Sequence, residues 1–595
     1  MITFFEKSPL FKLLTALALS SSFFELTNAS KNPVVFLLLS MITFLSLDKS
    51  LLQWKNKAIK EKKIILFFSI LLTITTFLGG KVIVTGGFYT GSYSENYFTS
   101  VTIWDFIWSG FFLFFSLEAA ICLLAFYEKL TSCKKYTLPS LFASEKKLFF
   151  LSWTFIFLCW LPYLITYYPG AIYGDSQSSI KQALGELLIT NHHPVMYTLL
   201  IKFFLSIGRF FADTSFGCAL YTVFQMLLIS GIFAYFLLWL RRKHCPDIFL
   251  IFTCCFYALS PIFPLHAISM WKDPIFSAFI LLLSLVSYDI VNTKGKLLEN
   301  TKHIALLCLL SLVICFIRNN GIYVMIVYWI TLGIYYGIVK KHYIKKGKFL
   351  FSFLGCFVFY MIITGPLYSK LDITSEFVES LSIPLQQMSS VVVYDGKMTE
   401  TQREYMFRLL PEEDYLESYT PCCVDNIKWH PNFNEDFLEN NKSGFFKTWA
   451  QMLIPNIKLY VKAYICQTFE YWSLSDIKRN SFVDKINTLQ YSDEVPATDY
   501  SEILFSSSWK EHFPFSYIFL SEGLVTWIMF FSIMQILLAN KKEKIIPLLP
   551  LLTAWGTLLI SVPLAAWQRY TLSSTFALPL FLSLYAITQW ESPKK

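Results

Sequence analysis

Charged residues are scarce in this chain of 595 residues. Asp, Glu, Lys and Arg together supply 15% of the sequence, whereas apolar residues supply 55% and aromatic residues 18%. Soluble globular domains carry about 25% charged residues, so the shortage excludes a soluble globular protein. The composition predicts instead a protein that crosses a membrane several times.

Several motif classes are also missing. The chain has no CxxC pair and no Cys/His spacing typical of a metal site, and most of its 13 cysteines lie inside apolar runs, where they act as small hydrophobic residues. Cys422, Cys423 and Cys466 lie outside those runs, but vicinal cysteines rarely pair with each other, so we predict no disulfide framework. We also find no internal repeat and no low-complexity segment.

Apolar runs dominate the rest of the sequence. A helix needs about 20 apolar residues to cross a bilayer, with about 17 as the lower limit. The first run could be a secretory signal, but a second follows without a convincing cleavage site, so we predict a membrane hairpin. About fourteen spans are predicted, near residues 8–26, 31–48, 64–82, 103–127, 148–168, 217–240, 247–265, 274–291, 303–318, 321–339, 348–368, 515–539, 545–566 and 572–590.

Basic loops indicate the orientation of these spans. The formal net charge of +9 comes from Lys and Arg clusters that fall at every second loop, and such loops are typically cytoplasmic. This alternation requires that Val195–Phe211, which contains Lys202 and Arg209, be an interfacial helix on the outer surface. Both termini are then cytoplasmic, and we predict no nucleic-acid partner. The clusters lie at residues 55–63, 129–147, 241–243, 294–302, 340–348, 541–544 and 594–595.

The predicted fold class is an α-helical polytopic membrane protein with outer interfacial helices and one extracytoplasmic domain. That domain is predicted to be mostly α-helical, with an α/β domain as the alternative. We divide the chain into a four-helix transmembrane module (1–147), a transmembrane module with a first outer loop at 169–216 (148–369), the extracytoplasmic domain (370–511) and C-terminal transmembrane helices (512–595).

Five short polar segments interrupt or border the apolar runs. The predicted topology places all five on the outer side of the membrane. Because charged and polar side chains are costly near a bilayer, their collection on one side favours a reaction site over packing. The segments are residues 173–176, 192–194, 271–274, 318–321 and 567–570.

Each charged residue in these segments also has a structural interpretation. Asp175 precedes an apolar stripe at helical spacing and could simply cap that helix. Lys272 and Asp273 could form an ion pair beside an interfacial tryptophan. Arg318 and Arg569 each stand at the end of a span, where arginine often anchors to lipid headgroups.

The His192-His193 pair could bind a metal, but adjacent side chains on an extended backbone diverge and no nearby carboxylates stand at ligand spacing. We therefore predict no metal site and favour hydrogen bonding to a substrate or fixing of the loop. Taken together, one carboxylate that can act as a base and three cations suit transfer of a group from a lipid phosphate.

The chain resembles the C-type membrane glycosyltransferases. Tyr-Gly-Asp-Ser at 173–176, His193-Pro194 about twenty residues later and the large outer domain carry this resemblance, which covers roughly residues 150–590. No Trp-Trp-Asp motif of the oligosaccharyltransferases is present. Further motifs resemble one bacterial branch of mostly unassigned function: Trp-Lys-Asp-Pro at 271–274, Arg-Asn-Asn-Gly at 318–321, Pro-Leu-Gln-Gln-Met at 384–388, Tyr-Thr-Pro at 419–421, residues 425–428, residues 455–472 and Arg569-Tyr570.

The resemblance implies an enzyme of the bacterial plasma membrane with an extracytoplasmic active site. It would move a single sugar from a polyprenyl-phosphate donor to a polysaccharide, glycopolymer or glycolipid of the cell envelope. No cofactor is implied, and a divalent-metal requirement is left open. The implied roles are general base for Asp175, donor-phosphate binding for Lys272, Arg318 and Arg569, and substrate orientation for His192, His193, Asp273, Asn319 and Tyr570.

Two other functions suit a polytopic protein with these features. A flippase or transporter of lipid-linked glycans should carry charges in mid-span, and Asp105 and Glu118 do lie inside an apolar run. A ligase or polymerase of envelope polymers should carry several arginines in its large outer loop, where this chain has few.

Overall fold

The computed structural model describes residues 8–29, 32–82, 97–132, 144–172, 174–339, 346–474, 521–565 and 568–590. These residues form helices joined by short loops, and they contain isolated β-bridges but no strand. This confirms the predicted polytopic helical class. The described part of the predicted extracytoplasmic domain is likewise helical. It contains no strand, which the alternative of an α/β domain would require.

Four helices form the N-terminal module: α1 (Pro9–Thr27), α2 (Pro33–Asn56), α3 (Ile59–Gly80) and α4 (Ile103–Ser132). Ser8 and Asn32 cap α1 and α2, each directly before a proline that suits the first turn of a helix. Asn28 ends α1 in the left-handed conformation, which allows the chain to turn back into α2.

Ten helices form the central module. They are α5 (Glu145–Thr166), α6 (Gly174–Leu184), α7 (Val195–Phe211), α8 (Thr214–Arg242), α9 (Asp247–Leu259), α10 (Ile262–Ala267), α11 (Lys272–Asn292), α12 (Thr301–Ile317), α13 (Gly321–Ile334) and α14 (Lys346–Ile362). Helix α14 continues through a π-helical turn to Lys370. Helices α7 and α8 form a hairpin with Gly208 against Gly217, where a Cβ on either residue would meet backbone atoms.

What we call the insert domain begins at Glu376, continues through the 3₁₀ turn Phe377–Leu381 and contains the next seven helices: α15 (Ser382–Val393), α16 (Glu400–Leu409), α17 (Glu412–Ser418), α18 (Asp425–Lys428), α19 (Glu435–Asn440), α20 (Lys442–Leu453) and α21 (Ile457–Thr468). The last four helices are α22 (Glu522–Leu538), α23 (Leu549–Ser561), α24 (Gln568–Phe576) and α25 (Leu578–Trp590).

Ten helices among the described residues are long and apolar enough to cross a membrane. Four further apolar helices are shorter: Asp247–Leu259, Thr301–Ile317, Gly321–Gly337 and Glu522–Leu538. All fourteen correspond to the apolar runs in the sequence. A multi-pass membrane protein is therefore established, and the full count of fourteen spans remains a prediction.

The insert domain has its own apolar core, which includes Leu385, Met406 and Phe445. It is also joined to the C-terminal helices by hydrogen bonds from its last segment. Gln467 Nε2 donates to the carbonyl of Val562 at 2.7 Å, and the Tyr471 hydroxyl donates to that of Leu564 at 2.8 Å. The predicted docking of residues 445–472 onto the membrane module agrees with these contacts. Val562 and Leu564, which accept these hydrogen bonds, lie a few residues before Arg569 in the chain.

Candidate functional site

A tight turn after α5 positions Asp175 in the site. Gly170 in this turn has φ = +134°, and a Cβ there would clash with the Thr222 side chain on α8, so only glycine fits. The next residue, Ala171, exchanges hydrogen bonds with the segment before α11: its N–H donates to Ile268 O and its carbonyl accepts from Met270 N–H, both at 2.9 Å. Asp175 then lies in the first turn of α6.

The segment before α11 is held from three helices. Gln225 of α8 donates from its Nε2 to the carbonyls of Ala267 at 2.9 Å and Ser269 at 2.7 Å. The hydroxyls of Ser176 on α6 and Tyr197 on α7 both donate to Met270 O at 2.5 Å. Lys272, which begins α11, is thereby fixed beside Asp175.

Asp175 contacts two cations. Its Oδ2 lies 2.8 Å from Nη1 of Arg569 on α24 and 3.5 Å from Nζ of Lys272. Its side chain is 33% exposed, so an incoming molecule can reach the carboxylate. Burial alone would raise the pKa of the Asp175 carboxyl, but attraction to Arg569 and Lys272 outweighs it and holds that pKa well below its usual range.

Aromatic rings frame the Arg569 guanidinium. The guanidinium carbon lies 5.0 Å from the ring centre of Trp271 and 5.0 Å from that of Tyr570, and Nη2 donates to the Tyr570 hydroxyl at 3.2 Å. Trp271 is only 2% exposed. The alternative in which Trp271 is an interfacial tryptophan was therefore wrong: its ring is a wall of the site.

Arg318 belongs to a second ion pair. Its Nη1 lies 2.9 Å from Oδ1 of Asp273, which is buried, and its guanidinium carbon lies 5.4 Å from the ring centre of Tyr570. The alternative in which Lys272 pairs with its neighbour Asp273 was wrong. Successive residues at a helix start point apart, so Lys272 reaches Asp175 while Asp273 reaches Arg318.

The prediction that the two adjacent histidines diverge was wrong: the centres of their rings lie 4.4 Å apart in an edge-to-face contact, although each ring has a different polar partner. His193 is buried, and its Nδ1 accepts a hydrogen bond of 3.1 Å from Lys272 Nζ. Burial and the nearby Lys272 charge lower the pKa of His193 to about 2, so the ring is neutral at physiological pH.

His192 faces the insert domain instead. Its Nδ1 donates to Glu376 Oε2 at 2.6 Å, and its ring lies 5.2 Å from that of Trp429. Asn319 does not reach the cluster around Asp175; its Nδ2 donates to the carbonyl of Asn191 at 2.9 Å and so fixes the histidine loop.

The cluster carries an excess of positive charge. Lys272, Arg318 and Arg569 supply three positive charges against two negative charges from Asp175 and Asp273, which leaves a formal charge of +1 with His193 neutral. An excess cation between aromatic rings favours an anionic ligand.

An open cavity of about 650 Å³ adjoins this cluster. His192 and His193 line it on the side of the histidine loop, and Glu376 and Trp429 line it on the side of the insert domain. The remaining lining residues are Ser178, Gln182, Leu187, Leu188 and Thr190. A cavity of this size can hold a small polar or glycosidic molecule.

The sequence interpretation missed three residues of this region: Glu376, Glu379 and Trp429. Glu376 and His192 are 184 residues apart, and no local pattern connects them. Trp429 directly follows the segment 425–428 that carried part of the resemblance, which was the one available signal. Tyr173 and Trp567, which belong to two of the polar segments, lie outside the described residues.

The fold and this site define a polytopic helical membrane protein with a partly exposed carboxylate held by cations at the junction of its helices and its insert domain. The chain belongs to a family of unknown function, DUF6020, whose model matches residues 185–594. The match begins ten residues after Asp175, and it includes Lys272, Arg318, Arg569 and the insert domain.

A search of curated proteins found no match to this chain. A search of solved structures also found none.

Proposed function

We propose that this protein is a membrane glycosyltransferase that moves a single sugar from a polyprenyl-phosphate donor to a polysaccharide, glycopolymer or glycolipid of the cell envelope. One observation carries the proposal. The Asp175 carboxylate lies within 2.8 Å of Arg569 and 3.5 Å of Lys272, in a partly exposed cluster with one excess positive charge. Such a site offers a base and an anion-binding surface side by side.

In the proposed reaction an acceptor hydroxyl oxygen attacks the anomeric carbon of the donor sugar. The bond between that carbon and the phosphate oxygen breaks, and its electron pair leaves with the polyprenyl phosphate. Asp175 accepts the proton of the attacking hydroxyl. Charge develops on the leaving phosphate oxygen, where Arg569 and Lys272 stabilise it.

The low pKa of Asp175 makes it a weak base as long as both cations contact it. A donor phosphate that binds Arg569 and Lys272 competes with Asp175 for these two cations and weakens their attraction to its carboxylate. The pKa of the carboxylate then rises, so that it becomes a stronger base only when the donor is present. Because Arg318 is held by Asp273 and shares the Tyr570 ring with Arg569, it acts by positioning the guanidinium that contacts the phosphate.

The cavity beside His193 supports the same proposal. It is open, borders the cluster and combines an indole ring with polar side chains, a combination that suits a sugar acceptor. We place this reaction on the extracytoplasmic side of a bacterial plasma membrane, in agreement with the predicted positions of the basic loops.

One observation favours transport of a lipid-linked glycan as a second candidate. Glu118 on α4 is buried in the N-terminal module, where it accepts a hydrogen bond of 2.5 Å from Ser46. Ionisable groups at such depth are common in transporters. Lys12 and Asp48 in the same module form an ion pair with each other, which reduces the charge available for a transport pathway.

The test is Asp175→Asn in a strain that lacks the native gene. The isosteric amide cannot accept the proton, so we expect transfer of the sugar to fall by about 100-fold or more. The readout is mass spectrometry of envelope glycans, with expression at the wild-type level verified in membranes. Asp372→Asn, at an exposed position, is the matched control and should retain transfer. Unchanged envelope glycans in Asp175→Asn would rule out its role as the base.

A further inference from the structure

Three potential ligand atoms meet where the outer histidine loop contacts the insert domain. His192 Nδ1 lies 2.6 Å from Glu376 Oε2 and 4.0 Å from Glu379 Oε1. These ligand atoms all lie within 4.8 Å of one another. Ligands at about 2.0–2.2 Å from one ion are separated by about 3–3.5 Å, so small side-chain rotations bring this set around a single cation.

The charges around these atoms do not balance. Lys428 is buried and pairs with both Glu379 at 2.7 Å and Asp425 at 3.0 Å. Glu376, Glu379 and Asp425 against Lys428 leave a formal charge of −2. When Glu379 turns toward a cation, Lys428 retains Asp425 as its partner.

The nearby Glu435 carboxyl is affected by this negative charge. Burial raises the pKa of the Glu435 carboxyl, and repulsion from Glu376 and Glu439 raises it further. Glu439 has its own cation, Lys442, at 2.6 Å. The region near Glu376 is therefore one that a positive ion would stabilise.

The side-chain oxygen of a buried glutamine that lines the same cavity has no hydrogen-bond donor among the described residues. Gln182 lines the cavity with His192 and Glu376 and is only 5% exposed. Its Nε2 donates to Thr190 at 3.2 Å, but among the described residues no donor reaches its Oε1. A buried carbonyl oxygen of this kind is normally satisfied by a donor, and a water bound to a metal ion supplies one.

We propose that His192, Glu376 and Glu379 bind one divalent cation. One imidazole and two carboxylates suit Mn²⁺ or Zn²⁺ better than Ca²⁺ or Mg²⁺, which prefer oxygen ligands alone. The ion would tie the histidine loop to the insert domain. Because His193 in the same loop contacts Lys272, the bound ion would also fix this loop beside Asp175. This differs from our sequence-based prediction of no metal site, and it does not depend on the proposed glycosyl transfer.

The experiment is titration of Mn²⁺ into the full-length purified protein in lipid nanodiscs, after removal of metals with EDTA. Electron paramagnetic resonance of free Mn²⁺ counts the bound ions, and we expect one ion per chain with micromolar affinity. Pulsed measurements on the bound ion should show coupling to one imidazole nitrogen. The wild-type protein alone can overturn the proposal. It does so if Mn²⁺ binds without coupling to a nitrogen, or if no Mn²⁺ binds below millimolar concentration.

Variants identify the ligands. His192→Ala and Glu376→Gln should each weaken Mn²⁺ binding at least tenfold, and His192→Ala should remove the nitrogen coupling. His430→Ala is the matched control because its Nδ1 lies 3.8 Å from Asp414 Oδ2 in the same domain, and it should bind like the wild type. If His192→Ala keeps the nitrogen coupling, His192 is not the ligand. Glu379→Gln provides a milder second variant. If Glu376→Gln and Glu379→Gln both bind Mn²⁺ with the affinity of the wild type, the assignment of the carboxylate ligands is wrong.

Discussion

The Arg569 guanidinium donates a hydrogen bond to the Asp175 carboxylate over 2.8 Å, although 394 residues of chain separate the two. Asp175 follows the first helix of the central module and Arg569 begins the last helical pair. The pair therefore joins the start of the central module to the C-terminal helices. The Trp271 ring against the guanidinium and the hydroxyl of Tyr570 keep this arginine in place.

The Asp175–Arg569 pair should show strong energetic coupling. Arg569→Gln leaves the carboxylate with Lys272 alone and should lower the free energy of unfolding by about 2 kcal/mol, less than for a fully buried pair because Asp175 is one-third exposed. The double variant Arg569→Gln/Asp175→Asn removes the unpaired charge and should recover about 1 kcal/mol of this loss. Unfolding of the purified variants in detergent measures the coupling, and additive effects would contradict it.

Two glycines near Asp175 should respond differently to alanine. Gly170→Ala places a Cβ against Thr222 at a φ that only glycine adopts easily, and it should destabilise the protein by about 2 kcal/mol or more. Gly174→Ala lies in the first turn of α6 with nothing within 4 Å of the new Cβ, so its effect should stay below about 1 kcal/mol. Thermal unfolding compares the two, and equal losses would refute the close approach at Gly170.

Stability should fall in mildly acidic solution because of His193. Its pKa is lowered to about 2 in the folded state, whereas an unfolded histidine has a pKa of about 6.5. Between these values the unfolded chain binds the extra proton, so stability decreases as the pH falls below about 6.5. Asp175 adds to this loss only below about pH 4, because its folded pKa is depressed and its contribution is fully present above that range.

His193→Asn removes this titration. Between pH 6.5 and pH 5 the variant should lose about 2 kcal/mol less stability than the wild type, whatever its stability at pH 7. His244→Asn is the control, because His244 is exposed and has φ = +62°, a conformation that asparagine tolerates. Melting temperatures at several pH values provide the measurement, and parallel profiles for His193→Asn and the wild type would be the contrary result.

The predicted topology can be tested with single cysteines. Asn441→Cys, on the exposed surface of the insert domain, should react in intact cells with a thiol reagent that does not cross membranes. Lys60→Cys, in the first basic cluster and the first turn of α3, should react only after the membrane is opened. A background without reactive native thiols is needed for both. Protection of Asn441→Cys would reverse the assignment of sides and with it the interfacial position of Val195–Phe211.

The sequence predicted the helical membrane class because composition and apolar run length depend on no long-range contact. It could not predict which ions pair. Lys272 and Asp273 are neighbours in sequence, yet each pairs with a residue from a different helix. The alternative of an interfacial Trp271 came from its position at the border of an apolar run, whereas the ring is buried in the helical core and packs against Arg569.

The carboxylates beside His192 were beyond prediction for the same reason. Glu376 and Glu379 lie in a polar region without a recognisable metal-binding pattern, and they reach His192 only because the insert domain folds over the histidine loop. His192 and His193 were expected to diverge, yet their rings are in edge-to-face contact at 4.4 Å, because the insert domain binds one ring and Lys272 binds the other.

The location of Arg569 near the C-terminus has a consequence for biosynthesis. A ribosome delivers the turn at Gly170 and the α6 helix long before the helix that carries Arg569 enters the membrane. Until then the Asp175 carboxylate lacks its closest cation, and the Trp271 ring lacks the guanidinium that covers it. Chains that end before residue 569 contain every other charged member of the cluster but lack the cation closest to Asp175, so the cluster is complete only after the C-terminal helices have been added.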